Sequence, residues 1–186
     1  MKKLLLILLL LSVSVSSVYA NNIKYEMYQL YKNKKYKQAC LLGYKNLERF
    51  KRDEEFVSLY AFSCLYADYI DRLSSPAALL KKTAESRANS AYFAIIVMQK
   101  KLLYHALLDN YNLSKFVLPT TDYILSKVFD MYAKLGKHTP KSIYVFQDSK
   151  DPRVSYKLYV ITENGTKKMI IEELYDTMLV KRHKYW

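Results

Sequence analysis

The chain has 186 residues, a formal net charge of +13 and a 51% share of hydrophobic residues. That length supports one core or a small helical array with a minor lobe. Three glycines and three histidines leave little material for a phosphate-cradling glycine loop or a histidine metal centre, whereas 19 tyrosines supply half-wet contact surface, each ring burying while its hydroxyl stays hydrated.

Lys2 and Lys3 open the chain, an apolar run covers Leu4 to Leu11, and Val18-Tyr19-Ala20 follows a small-residue stretch. A basic start, a short apolar core and small residues at the −3 and −1 positions make an export signal, with cleavage expected after Ala20. The apolar core falls short of the ~20 residues a membrane-spanning helix needs. The expected location is therefore the periplasm or cell envelope of a bacterium. Residue 21 is Asn, not Cys, which argues against a lipid-anchored product. In an oxidising compartment the two cysteines, Cys40 and Cys64, form a candidate disulfide; the other reading is two small buried residues that never meet.

The pattern from Tyr25 to Arg49 predicts a helical hairpin. Its first helix covers Ile23 to Lys32, its break falls at Lys32-Asn33-Lys34-Lys35, and its second helix covers Tyr36 to Phe50. Tyr36, Ala39, Cys40, Gly43, Tyr44 and Leu47 follow helical spacing, and Ala39 and Gly43 make a notch for a close neighbouring helix. Asp53 to Ile70 predicts a third helix with acids at its start. Ser74 or Ser75 caps a fourth helix, with Pro76 in its first turn. Ser90 to Asn110 is the most apolar helix, and a helix apolar on most sides is a central one. A loop covers Asn110 to Pro119. Thr120 or Thr121 caps a sixth helix, which Gly136 terminates.

Tyr36-Lys37-Gln38-Ala39 followed by Leu47, with Ile23 and Leu30 in the preceding helix, resembles the tetratricopeptide-type helical repeat over about residues 23–90. Met27, Gly43, Asn46 and Lys51 depart from that pattern, and Ala39 and Ala78 are further apart than its ~34-residue period. The resemblance implies stacked antiparallel hairpins whose groove holds a peptide or partner helix.

At Pro140 the period changes from 3.6 to 2. Ser142 to Gln147 is a strand candidate. Val154, Tyr156, Leu158 and Val160 alternate up to Asn164-Gly165, the strongest two-residue hairpin signal. Pairing through that turn sets Val160 opposite Met169, Leu158 opposite Ile171 and Lys157 opposite Glu172. Residues 172–180 fit either a strand or a helix. The predicted fold is thus α+β, mainly α: an export segment over 1–20, a helical-repeat region over 21–138, and a β-hairpin or three-stranded lobe over 139–186 that ends in a basic tail.

A Gly-x-Ser-x-Gly elbow and an HExxH motif are both absent from the sequence, and none of His105, His138 and His183 has a Cys, Asp or Glu at metal-ligand spacing. The sequence therefore reads as non-catalytic, without metal or cofactor; a hydrolase built on widely separated groups is the remaining catalytic reading. The expected role is a scaffold that binds a protein or peptide partner. The alternative is a module that recognises an anionic polymer or membrane surface through Lys34, Lys35 and Lys37 at the first turn and Lys181, Arg182 and Lys184 in the tail, beside Tyr185 and Trp186. Export argues against nucleic acid as a partner.

Overall fold

A computed structural model describes residues 22–186; the expected export segment lies outside the described residues. The fold is α+β and mainly helical, with six α-helices and four strands among the described residues. The chain divides into two compact units between Ala67 and Asp68, whereas the change of sequence period falls some 70 residues later, at Pro140.

The first unit holds three helices: α1 over residues 22–32, α2 at Tyr36–Phe50 and α3 at Glu54–Tyr66. The break between α1 and α2 is a left-handed cap. Lys34 takes φ +58°, its N–H donates to the Tyr31 carbonyl, and the Lys35 N–H donates to the Leu30 carbonyl, both at 2.9 Å. That pair of bonds satisfies carbonyls that would otherwise be orphaned at the helix end. Asp53 begins α3 as its N-cap, accepting from the Phe56 N–H at 3.1 Å. α3 stops at Tyr66, four residues short of the expected Ile70, because Asp68 adopts φ +63° and turns the chain away.

The second unit begins with a 3₁₀ turn at Ile70–Leu73 and α4 at Ser74–Leu79. Neither Ser74 nor Ser75 provides the expected side-chain cap for α4. α5, at Ala84–Asp109, starts six residues before the expected Ser90. Its cap is Thr83, whose Oγ1 accepts from the Ser86 N–H at 3.0 Å, and Asn110 closes it at φ +56°. α4 has 6 residues and α5 has 26. α6 covers Ile124–Ala133.

Four strands follow: β1 at Ile143–Gln147, β2 at Val154–Glu163, β3 at Thr166–Tyr175 and β4 at Met178–Tyr185. They form one antiparallel sheet in the order β1-β2-β3-β4. Asn164 and Gly165 both take positive φ, +51° and +73°, the backbone twist a two-residue hairpin needs. The register is the expected one, with Val160 opposite Met169, Leu158 opposite Ile171 and Lys157 opposite Glu172. The sheet has one strand more than expected. Residues 172–180 are the end of β3, a turn at Asp176-Thr177 with both φ positive, and the start of β4. The presumed basic tail is therefore a strand. Tyr156, Leu158, Met169, Ile171, His183 and Tyr185 lie along one buried face, and the opposite face carries cross-strand ion pairs.

Candidate functional site

The first unit is organised around a glycine. A Cβ at Gly43 of α2 would meet the Tyr60 ring of α3 at 2.6 Å and the Met27 sulfur of α1 at 3.0 Å. Only the bare backbone lets three helices converge there, as the Ala39/Gly43 notch suggests. Cys40 and Cys64 are joined, with their Cα atoms 4.7 Å apart, so α2 and α3 are also tied covalently. At the other end of the unit Tyr31, Tyr36 and Tyr66, one from each helix, form an aromatic triangle with centroids 5.0 to 6.2 Å apart. Burial, and the neighbouring Tyr66 and Tyr36, push the Tyr31 hydroxyl up to about 12.

This packing leaves a groove of about 410 Å³ lined by Lys24, Tyr25, Met27 and Tyr28 of α1 and by Glu55, Phe56 and Leu59 of α3. Its floor is Met27 and Phe56, both buried; Tyr25 and Tyr28 on its wall are 64% and 50% exposed. Lys24 spans the two helices, donating to Asp53 at 2.5 Å. Burial alone would raise the Asp53 carboxyl, but the bonds from Lys24 and from the Phe56 N–H outweigh it and hold the group below its ordinary value. Lys24 and the cap at the groove's end are thus fixed in place; of the remaining lining, Glu55 is an exposed carboxylate and Tyr25, Met27, Tyr28, Phe56 and Leu59 are aromatic or aliphatic. Its volume lies in the ~300–1,000 Å³ range of ligand pockets. What it can do chemically is bury apolar side chains, at roughly 25 cal/mol per Å² removed from water.

The residues singled out in the sequence separate into two groups. Lys34, Lys35 and Lys37 are exposed around the α1–α2 turn, together with Lys32. The three cations of β4 are placed differently. Arg182 pairs with Glu172 at 2.6 Å and Lys184 with Glu163 at 2.9 Å, both across the sheet face, while Lys181 is exposed. Glu163, bonded first by Lys168 and then by Lys184, is held down to about 2. Most of the tail's charge is therefore neutralised inside its own unit.

His183, expected in a free tail, is 1% exposed. Its Nδ1 lies 2.8 Å from Asp68 Oδ1 and its Nε2 lies 2.7 Å from Glu173 Oε1. Tyr123 donates to the same Asp68 oxygen at 2.7 Å and its hydroxyl meets that of Tyr185 at 3.1 Å. Burial opposes the charged imidazole, but the bonds to Asp68 and Glu173 win and raise its pKa. The bond from His183 is in turn the largest influence holding Glu173 low. With both ring nitrogens engaged by carboxylates, His183 has no lone pair to offer a substrate, so the cluster is an internal clamp joining Asp68 to β3 and β4. The sequence held one signal for it: in β-register, His183 and Tyr185 share a face.

His105 is half-exposed, 2.8 Å from Asp109 one helical turn on and stacked on Tyr111. His138 Nε2 lies 3.1 Å from the Tyr144 hydroxyl. Among the described residues no group of three or more His, Cys, Asp or Glu side chains is arranged to hold a metal ion, and no helix is long and apolar enough to cross a membrane. Comparison of the chain with family models, curated proteins and solved structures finds no match.

Proposed function

We propose that the chain is an exported, non-catalytic docking protein of the bacterial envelope, and that the groove between α1 and α3 takes an amphipathic peptide segment. The observation that carries this reading is the groove: apolar walls from the first helix of one hairpin and the helix that follows it, with two exposed tyrosines and no free acid–base pair in its floor. In tetratricopeptide-type arrays, which the sequence resembles, partner segments lie along the corresponding helices. Lys32, Lys34 and Lys35, exposed where α1 ends, favour a segment whose apolar anchors are followed by acidic residues. Anchors at helical spacing give the affinity and the acids set its direction along α1.

The test is a display selection of short random peptides on the purified protein and on the Leu59→Glu variant. Enriched peptides should carry apolar residues at i, i+3 or i+4 spacing next to Asp or Glu. They should bind the Lys181→Gln/Arg182→Gln/Lys184→Gln variant unchanged and lose the Leu59→Glu variant. Peptides that bind both proteins equally refute the groove. The exposed Lys32–Lys37 turn favours a second reading, attachment to an anionic surface. It requires binding to anionic lipid vesicles that falls steeply with salt and is lost on Lys34→Gln/Lys35→Gln/Lys37→Gln, whereas groove binding depends only weakly on salt.

A further inference from the structure

The two edges of the sheet are built differently. β4 carries two guards against edge-to-edge pairing: the charges Lys181, Arg182 and Lys184, and an irregularity in its pairing at Glu173/Leu174. Guards of these kinds keep natural sheets from joining. β1, Ile-Tyr-Val-Phe-Gln, has no charge, no proline and an unbroken register with β2. Its side chains Ile143 and Val145 are 50% and 64% exposed. The Asp148 N–H donates to the Val154 carbonyl at 3.0 Å. Because bonding alternates along an antiparallel pair, the main-chain groups of Phe146 and Tyr144 face β2. Those of Gln147, Val145 and Ile143 point away from the sheet, with no strand beyond them among the described residues.

We infer that β1 is a self-association edge, and that two copies of this chain pair through it, antiparallel about a two-fold axis at Val145. In that register Val145 faces its counterpart and Ile143 faces Gln147, so the three outward residues of each copy form about six main-chain hydrogen bonds. Tyr144 stands opposite Phe146. No charge meets a like charge: Lys141 falls opposite Ser149 and Asp148 opposite Ser142. The same operation on β4 sets lysine and arginine against their own kind in every central register, which is destabilising. A second copy therefore fits β1 and is rejected by β4. The contact is isologous and closes as a dimer. Five residues a side is less than the ~1,200–2,000 Å² of a standard interface, so the dimer is weak and its population depends on concentration.

The experiment is sedimentation equilibrium of the purified protein from about 1 μM to about 500 μM, with two variants of exposed positions, Val145→Lys and Val180→Lys. A monomer–dimer equilibrium is expected, weakened at least about tenfold by Val145→Lys, which sets two cations on the axis, and unchanged by Val180→Lys on β4. A second readout does not depend on how those variants fold. Val145→Cys, air-oxidised at high concentration, should give a covalent dimer, because directly opposed residues on the axis lie within disulfide reach; Ile143→Cys, displaced from the axis, should not. A protein that stays monomeric throughout, one that forms open-ended oligomers, or one whose association is lost with Val180→Lys and kept with Val145→Lys overturns the inference.

Discussion

Reducing the Cys40–Cys64 bond tests how the first unit holds its groove. The bond closes a loop of 24 residues' sequence separation. In the chain-entropy treatment, closing such a loop in the unfolded state is worth about 3.5 kcal/mol at 25 °C, or roughly 300-fold in the folded-to-unfolded ratio. Both cysteines are fully buried, so the reduced thiols stay packed without a bond and the loss is chiefly this entropy. Urea melts of the oxidised and the dithiothreitol-treated protein, followed by helical circular dichroism, should differ in midpoint by about 1.5 to 2 M at a slope near 2 kcal/mol/M. Peptides selected on the groove should bind the reduced form more weakly, because α3, which carries Phe56 and Leu59, is then held to α2 by packing alone. Superimposable melts refute the reasoning, as do two thiols that titrate with Ellman's reagent in protein recovered from an oxidising compartment.

Four further outcomes follow from the structure. The fold raises the pKa of His183, so its pairing contributes fully below the ordinary value of 6.5 and is lost as pH rises through the raised value; it lowers that of Glu173, whose contribution is full above the ordinary 4.5 and lost as pH falls through the lowered value. The cluster therefore stabilises the second unit most between about pH 4.5 and 6.5, and urea melts followed by Trp186, the chain's one tryptophan, should show stability declining from pH 6.5 to 8.5; a rise over that interval contradicts the clamp. His183→Gln should cost about 1–3 kcal/mol in the same assay, since it takes the shared cation from Asp68 and Glu173, whose side chains are 17% and 32% exposed, while Asp68 keeps its bond from Tyr123. Gly43→Ala should destabilise by about 1–3 kcal/mol despite alanine's better helix propensity, because its Cβ lands on the buried Tyr60 ring; an unchanged or raised melting temperature disproves the three-helix contact. Gly165→Ala, at φ +73°, should cost about 1–2 kcal/mol through backbone strain alone, read as a lower midpoint with no change in slope.

What was legible in the sequence was local. α2 matched its predicted bounds because Tyr36, Ala39, Cys40, Gly43 and Leu47 repeat at helical spacing between two basic breaks. The β2–β3 register was legible because Asn164-Gly165 fixes the turn and every pair beyond it. The groove was legible only as an expectation attached to a helical-hairpin pattern: which tyrosines line it depends on the rotation of α1 against α3, and Gly43 sets that. The failures share a physical cause. α3 was drawn too long because a left-handed Asp68 is invisible to periodicity. α5 starts six residues before the apolar run, at a Thr83 cap whose bond to the Ser86 N–H carries no hydrophobic period. His183 was misplaced because its partners, Asp68 and Glu173, are 115 and 10 residues away. Such pairings between residues distant in sequence leave no periodic trace.

The charge shows how far composition alone misleads. A net +13 suggests a molecule with basic surface on all sides, and the run Lys181-Arg182-His183-Lys184 looks like its focus. In the fold that run is a strand, and its members meet Glu172, Glu173, Glu163 and Asp68. Glu163 and Glu172, held below their ordinary pKa, stay ionised, so their pairs with Lys184 and Arg182 persist across the physiological range. The lysines at the α1–α2 turn have no such answer. Lys32, Lys34 and Lys35 stand exposed at the end of the helix that carries Tyr25 and Tyr28. Long-range attraction and apolar anchoring thus fall on one helix. Under the proposed docking role, a partner drawn in by the lysines would arrive beside the groove, which favours α1 over the more basic-looking C-terminal strand.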